Sequence, residues 1–179
     1  ITKNEFFLVY QPQIDSRYNS LIGAEALLRW KHPSKGRVSP AEFIPVLESS
    51  GLIVKVGYWV FEQSCIALSQ WIGDGLWKEE QLFGINVSPQ QFNDPNFVEA
   101  LIDILQKTGA PAECIDLEIT EGLLINSIED VITKMIQLKA LGITFSIDDF
   151  GTGYSSLSYL KKLPVDVLKV DQSFIRDIP

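Results

Sequence analysis

Apolar and polar positions along the chain switch repeatedly between a short period and a long one. Runs rich in Val, Ile, Leu and Phe, set among Gly, Pro, Asn and Asp, predict strands over residues 8–14, 21–30, 82–88, 115–120, 144–150 and 165–171. Between them the apolar spacing widens to that of helices. Ser39-Pro40 precedes a helical stretch over 41–50 with an N-cap candidate, Pro at the first helical position and Gly51 as the stop. Further helical stretches are expected over 54–71, over 96–107 ending at Gly109, and over 127–141 ending at Gly142.

Strand–helix–strand repetition predicts an α/β fold, a parallel sheet with helices packed outside it. The first two strands are the exception. Only the short segment from Asp15 to Ser20 separates them, too little for a crossover helix, so they should form an antiparallel hairpin. A closed parallel barrel needs about eight strands, and six are read here. Either the sheet is open or two strand–helix units are missing, and the simpler expectation is a missing C-terminal portion after Pro179. There is no linker and no internal repeat, so residues 1–179 read as one domain.

The 179 residues suffice for one substantial core, and 46% hydrophobic with 21% charged residues is a globular composition. A net charge of −8 disfavours nucleic-acid polymers and anionic lipid unless cations reverse the local field. No apolar run approaches the roughly 18 residues that span a bilayer, and no signal-peptide pattern opens the chain. Cys65 and Cys114 sit in apolar stretches and read as buried, reduced thiols, which fits a cytoplasmic location. His32 is the single histidine, which excludes His-based zinc sites and His-dependent triads.

Candidate chemistry comes from polar residues that interrupt the C-terminal halves of successive strands, where α/β sheets build their sites. These are Glu25 and Arg29, Asn86, Glu118, Asp148 and Asp149, then Lys169 and Asp171. Strand alternation puts Glu25 and Arg29 on one face, Asp116, Glu118 and Thr120 on one face, and Lys169 with Asp171 on one face. Adjacent Asp148 and Asp149 cannot both point one way in a regular strand and suggest a strand end. Carboxylates converging at one rim need raised pKa values or hard cations. Oxygen ligands from Asp, Glu and Asn suit Mg2+ or Mn2+, and two such ions bridged by an Asp serve phosphoryl chemistry. A Lys at the same rim could orient the attacking water or stabilise developing charge.

Six segments also resemble, in order and at compatible spacing, the EAL domain family of bacterial cyclic di-GMP phosphodiesterases. They are Tyr10-Gln11-Pro12, Glu25-Ala26-Leu27-Leu28-Arg29-Trp30, Asn86-Val87-Ser88, Glu118-Ile119-Thr120-Glu121, Asp148 through Leu157, and Lys169-Val170-Asp171 with Ser173-Phe174. The resemblance implies a TIM-like barrel with one antiparallel strand, and hydrolysis of cyclic di-GMP to linear pGpG in second-messenger signalling. It implies two ions, Mg2+ or Mn2+, held by Glu25, Asn86, Glu118, Asp148 and Asp149. Lys169 then contacts the catalytic water, Gln11, Arg29 and Asp171 meet the substrate, and Glu121 holds the loop after the aspartate pair. That loop links the site to a homodimer in this family. A further glutamate on the family's seventh strand and a glutamine in its eighth region do not occur before Pro179.

Other readings are weaker. Gly151-Thr152-Gly153 lacks the third glycine of a dinucleotide fingerprint, since position 156 is Ser156. Asn86-Val87-Ser88 matches a glycosylation acceptor but Pro89 follows and the compartment reads as cytoplasmic. The four Trp read as packing rather than as a base-stacking platform. The alternative function is a non-catalytic cyclic di-GMP receptor or dimerisation module, which degenerate ligand positions would favour and these residues do not show.

Overall fold

A computed structural model describes residues 5–120, 122–123, 128–150, 161–171 and 174, without the side chain of Asp149. Strand β1 (Phe6–Asp15) turns through Ser16–Asn19 into β2 (Ser20–His32), and the two pair antiparallel, as the short connection requires. A third strand, β3 (Gly36–Val38), folds back on the end of β2. Three residues are too few to show an alternation in sequence, and the turn before it is held by His32, whose Nδ1 accepts the backbone N–H groups of Ser34 and Lys35 at 3.2 Å.

The chain then winds in parallel: β4 (Leu82–Val87), β5 (Ile115–Thr120), β6 (Thr144–Phe150) and β7 (Val167–Val170). The sheet order is β1-β2-β4-β5-β6-β7, with β3 attached to β2, and every pair from β2–β4 onward is parallel. Among the described residues β1 and β7 are the two ends of the sheet and do not pair with each other.

Helices α1 (Pro40–Ser49), α2 (Leu52–Gly73), α3 (Pro89–Phe92), α4 (Phe97–Thr108) and α5 (Ile128–Lys139) fill the connections. Pro40 sits at the start of α1 as expected, but the Ser39 hydroxyl makes no cap hydrogen bond. Ser88 does, accepting the backbone N–H of Gln91 at 3.1 Å to open the single turn of α3, too short for periodicity to reveal. Gly109 closes α4 with φ of 68°, a left-handed cap that a side chain would disfavour.

The sheet has two unlike faces. Ala24, Ala26, Phe83, Ile85, Val87, Leu117, Ile119, Phe145 and Ile147 stand in register on one face. With Phe61, Cys65 and Leu68 of α2, Phe97 and Leu101 of α4, and Val131 and Met135 of α5, they form the main core. Ten or more such side chains, each worth about 1.5–3 kcal/mol when fully buried, supply most of the drive to fold. Trp71, Trp77 and Phe83 stack or meet edge to face beside Tyr10, so these tryptophans pack, as the sequence suggested. Cys65 and Cys114 are buried free thiols. No single described helix is long and apolar enough to cross a membrane; α1 and α2 pass that test only as a pair bent by 120°.

The opposite face carries the polar residues. Gln11, Glu25, Gly84, Asp116 and Thr144 form one cross-strand row. Asn86, Glu118 and Ser146 form the next, and Thr120 stands level with Asp148 beyond it. Burying one apolar face therefore forces these groups together on the other.

Candidate active site

The parallel strands β2, β4, β5, β6 and β7 point their C-terminal ends at this polar rim, and side chains meet there. Asn86 donates from Nδ2 to Glu25 Oε1 at 2.7 Å, joining β4 to β2. Lys169 Nζ of β7 donates to Glu118 Oε1 across the sheet, and the two form a salt bridge. Glu118 is 1% exposed. Its carboxylate lies over Gly84, where a Cβ would stand only 2.1 Å from Oε1. Gly84 is thus a position where close approach demands glycine.

Burial pushes the Glu118 carboxyl up to about 7; Lys169 opposes the rise through its hydrogen bond and charge, while Glu25 and Asp116 add to it. Burial also favours the neutral amine of Lys169, but the contact with Glu118 and the charges of Glu118, Glu25 and Asp148 outweigh it and hold the ammonium above its ordinary value. The rim therefore keeps a cation in place by surrounding it with carboxylates.

The aspartate pair lies at an irregularity rather than in regular pairing. The β6–β7 register shifts between Ile147 and Phe150, which places Asp148 and Asp149 on a bulge inside the last residues of β6. A bulge interrupts the regular alternation of a strand at that point. The side chain of Asp149 and all of Glu121, Gly151 through Ser156 and Ser173 lie outside the described residues.

The substrate candidates are spread along the rim. Gln11 stands directly across from Glu25 on β1. Arg29, four residues beyond Glu25 on β2, donates to the carbonyl of Leu28 at 2.9 Å. It lines a cavity of about 430 Å3 with Glu25, Pro40, Ile44, Asn86 and Thr120. Asp171 follows β7 two residues after Lys169. Sequence reasoning did not single out Gly84 or the α1 residues Pro40 and Ile44, whose place beside the site follows from tertiary packing. Asp116, seen in sequence only as a face-mate of Glu118, is 5% exposed and accepts Ser146 Oγ at 2.5 Å and Thr144 Oγ1 at 3.0 Å.

No three His, Cys, Asp or Glu side chains among the described residues come together as a ready-made cation site. The donor set nonetheless fits a hard cation on one observation. Glu118 Oε2 is buried with no hydrogen-bond partner, an expensive state for a carboxylate that a cation would relieve. Glu25 and Asn86, already joined at this rim, add the oxygen donors Mg2+ and Mn2+ favour.

The EAL domain family model matches residues 1–179. This chain belongs to the EAL domain family. Solved EAL structures superpose closely. The PaMucR phosphodiesterase in complex with c-di-GMP gives a TM-score of 0.92 at 37% identity, covering 98% of this chain and 70% of that one. The EAL domain of Mycobacterium smegmatis DcpA gives 0.76 at 36% identity, covering 96% and 66%. The FimX EAL domain from Pseudomonas aeruginosa bound to c-di-GMP gives 0.85 at 27% identity, covering 98% and 69%. An uncharacterised protein of Mycobacterium tuberculosis is 42% identical over 175 residues, 98% of this chain and 57% of that protein. One from Synechocystis is 41% identical over 178 residues, 99% of this chain and 25% of that protein. The EAL chain thus spans between a quarter and three-fifths of these two relatives. Its mostly parallel sheet, with helices outside and antiparallel pairing confined to β1–β2 and β2–β3, is the architecture of the EAL TIM-like barrels it superposes on.

Proposed function

We propose that this EAL domain is a cyclic di-GMP phosphodiesterase that opens one phosphodiester of the ring to give linear pGpG. The observation that carries the reading is the buried Glu118 carboxylate, one oxygen on Lys169 and the other unpartnered, beside the Glu25–Asn86 pair. In this reading Glu25, Asn86, Glu118, Asp148 and Asp149 hold two divalent cations, Mg2+ or Mn2+. When bound, the ions supply charge neutralisation at the phosphate and acidify a water.

The chain's own residues do the rest. Lys169, kept as an ammonium by its carboxylate neighbours, orients the attacking water and meets charge developing on the phosphate. Arg29, at the cavity wall, and Gln11, opposite Glu25, bind the anionic ring, with Asp171, two residues after Lys169, as a further substrate contact. The water oxygen bonds to phosphorus as one ester P–O bond breaks, and the leaving ribose oxygen takes up a proton. Glu121 holds the loop after Asp149. The homodimer expected of the family belongs to the same reading, and sedimentation velocity checks it.

The test is incubation of the full chain with cyclic di-GMP and Mg2+ or Mn2+, following pGpG by chromatography. Product is expected, and Glu25→Ala should abolish it. No product at high protein concentration would sink the reading, and tight binding without turnover would make the domain a receptor.

A further inference from the structure

Asp116 lies in the polar face one step below the rim, two residues before Glu118 on β5. It touches neither Lys169 nor Glu118 through any described hydrogen bond. Instead its carboxylate reaches sideways to β6: Oδ2 accepts the Ser146 hydroxyl at 2.5 Å and Oδ1 accepts the Thr144 hydroxyl at 3.0 Å. Ser146 is two residues before Asp148, as Asp116 is before Glu118. The Thr144 hydroxyl also stands 3.2 Å from the Ile115 carbonyl, so the cluster ties side chain and backbone of both strands together. Ser146 is 1% exposed, so water does not compete for these bonds.

We infer that Asp116 is a positioning residue: with Ser146 and Thr144 it clamps β6 to β5 and fixes the height of Asp148 relative to Glu118. The need for such a clamp is local. Beside it the β6–β7 register shifts across Asp148 and Asp149, while the β5–β6 ladder stays regular as far as Thr120 and Asp148, so β5 is the neighbour against which Asp148 keeps its height. The bonds from Ser146 and Thr144 to Asp116 reinforce that ladder with buried side-chain partners, and support of this kind commonly governs ligand geometry. The inference rests on the cation-binding reading above, although its first readout does not require turnover.

The clamp makes a specific demand on chemistry. It needs two hydrogen-bonding atoms at position 116 and does not need charge. Asn satisfies it: Oδ1 accepts from Ser146, while Nδ2 donates to Thr144 Oγ1, whose own proton then serves the Ile115 carbonyl. Ala satisfies neither arm. Asp116→Asn, Asp116→Ala, Ser146→Ala and Thr144→Val are therefore compared with the parent full chain. Mn2+ affinity is measured by calorimetry well below each melting temperature, with kcat and KM for cyclic di-GMP measured alongside.

Asp116→Ala should weaken Mn2+ binding tenfold or more and lower kcat by a similar factor, with KM within about twofold, the range seen when such supporting partners are lost. Asp116→Asn should stay within about threefold of the parent in both, and Ser146→Ala should fall between. Unchanged Mn2+ affinity in a folded Asp116→Ala protein, even with a lowered melting temperature, would overturn the inference in favour of a merely structural role. So would an Asp116→Asn as impaired as Asp116→Ala, which would show that charge matters rather than the clamp. If Asp116→Ala does not fold, Ser146→Ala and Thr144→Val decide: parent-like Mn2+ affinity in both refutes it. A parent that binds Mn2+ but makes no pGpG defeats the phosphodiesterase reading alone; a parent that does not bind Mn2+ defeats both.

Discussion

Gly84→Ala offers the sharpest test of how the rim is packed. A Cβ at position 84 would stand 2.1 Å from Glu118 Oε1 and 3.0 Å from its Cδ, whereas ordinary contact begins near 3.4 Å. The nearest backbone atom, the Ala24 carbonyl oxygen at 3.7 Å, is not disturbed, so the whole strain falls on the Glu118 side chain. That side chain must retreat by about 1 Å, and it is fully enclosed. Retreat draws Oε1 away from Lys169 and leaves a buried charge pair poorly matched. Overpacking of this kind costs about 1–3 kcal/mol. For a domain of this size each kcal/mol moves the melting temperature by roughly 2–4 °C, so a fall of about 2–12 °C is expected by calorimetry. Gly73→Ala is the control. Nothing lies within 4 Å of its Cβ position at the end of α2, and its φ is not positive. It should be neutral or stabilise by about 0.4–1 kcal/mol, through the lost freedom of the unfolded chain. The opposite signs are the point: a Gly84→Ala protein that melts at or above the parent would refute the packing assigned to Glu118.

Three other outcomes follow from the same geometry. Lys169→Met removes the group that opposes the rise of the Glu118 carboxyl, and pGpG formation should fall by about 10²–10³ in steady-state assays; activity within threefold of the parent would remove Lys169 from the mechanism. Glu118 must lose its proton before its oxygen can hold a cation, and its carboxyl titrates at about 7. Affinity for Mn2+ should therefore rise about tenfold from pH 6 to pH 8, with proton release seen by calorimetry in buffers of different ionisation enthalpy; a flat profile would contradict the assignment. Leu68→Ala, at a fully buried position of α2, should cost about 2–5 kcal/mol in urea unfolding without changing KM.

The polar rim was legible in sequence because strand alternation is rigid. Once one face must bury Phe83, Ile85, Leu117, Ile119, Phe145 and Ile147, the intervening positions Asn86, Glu118 and Asp148 have no other side to occupy. The hairpin was equally legible, since a four-residue turn leaves no room for a crossover. What escaped was short or lateral. β3 and α3 span three and four residues, too few for either period to register. Gly84 looked like any strand glycine, and Asp116 like one more member of a face.

The sequence by itself determined the family, the alternation of elements and the inventory of oxygen donors at successive strand ends, because each is written in local spacing. Only the tertiary structure decided which donor meets which. It joined Asn86 to Glu25 and Lys169 to Glu118, put a glycine beneath the Glu118 carboxylate, and set the aspartate pair on a bulge above the Asp116–Ser146 contact. Those pairings depend on strand order and register, which long-range packing fixes and no local pattern encodes.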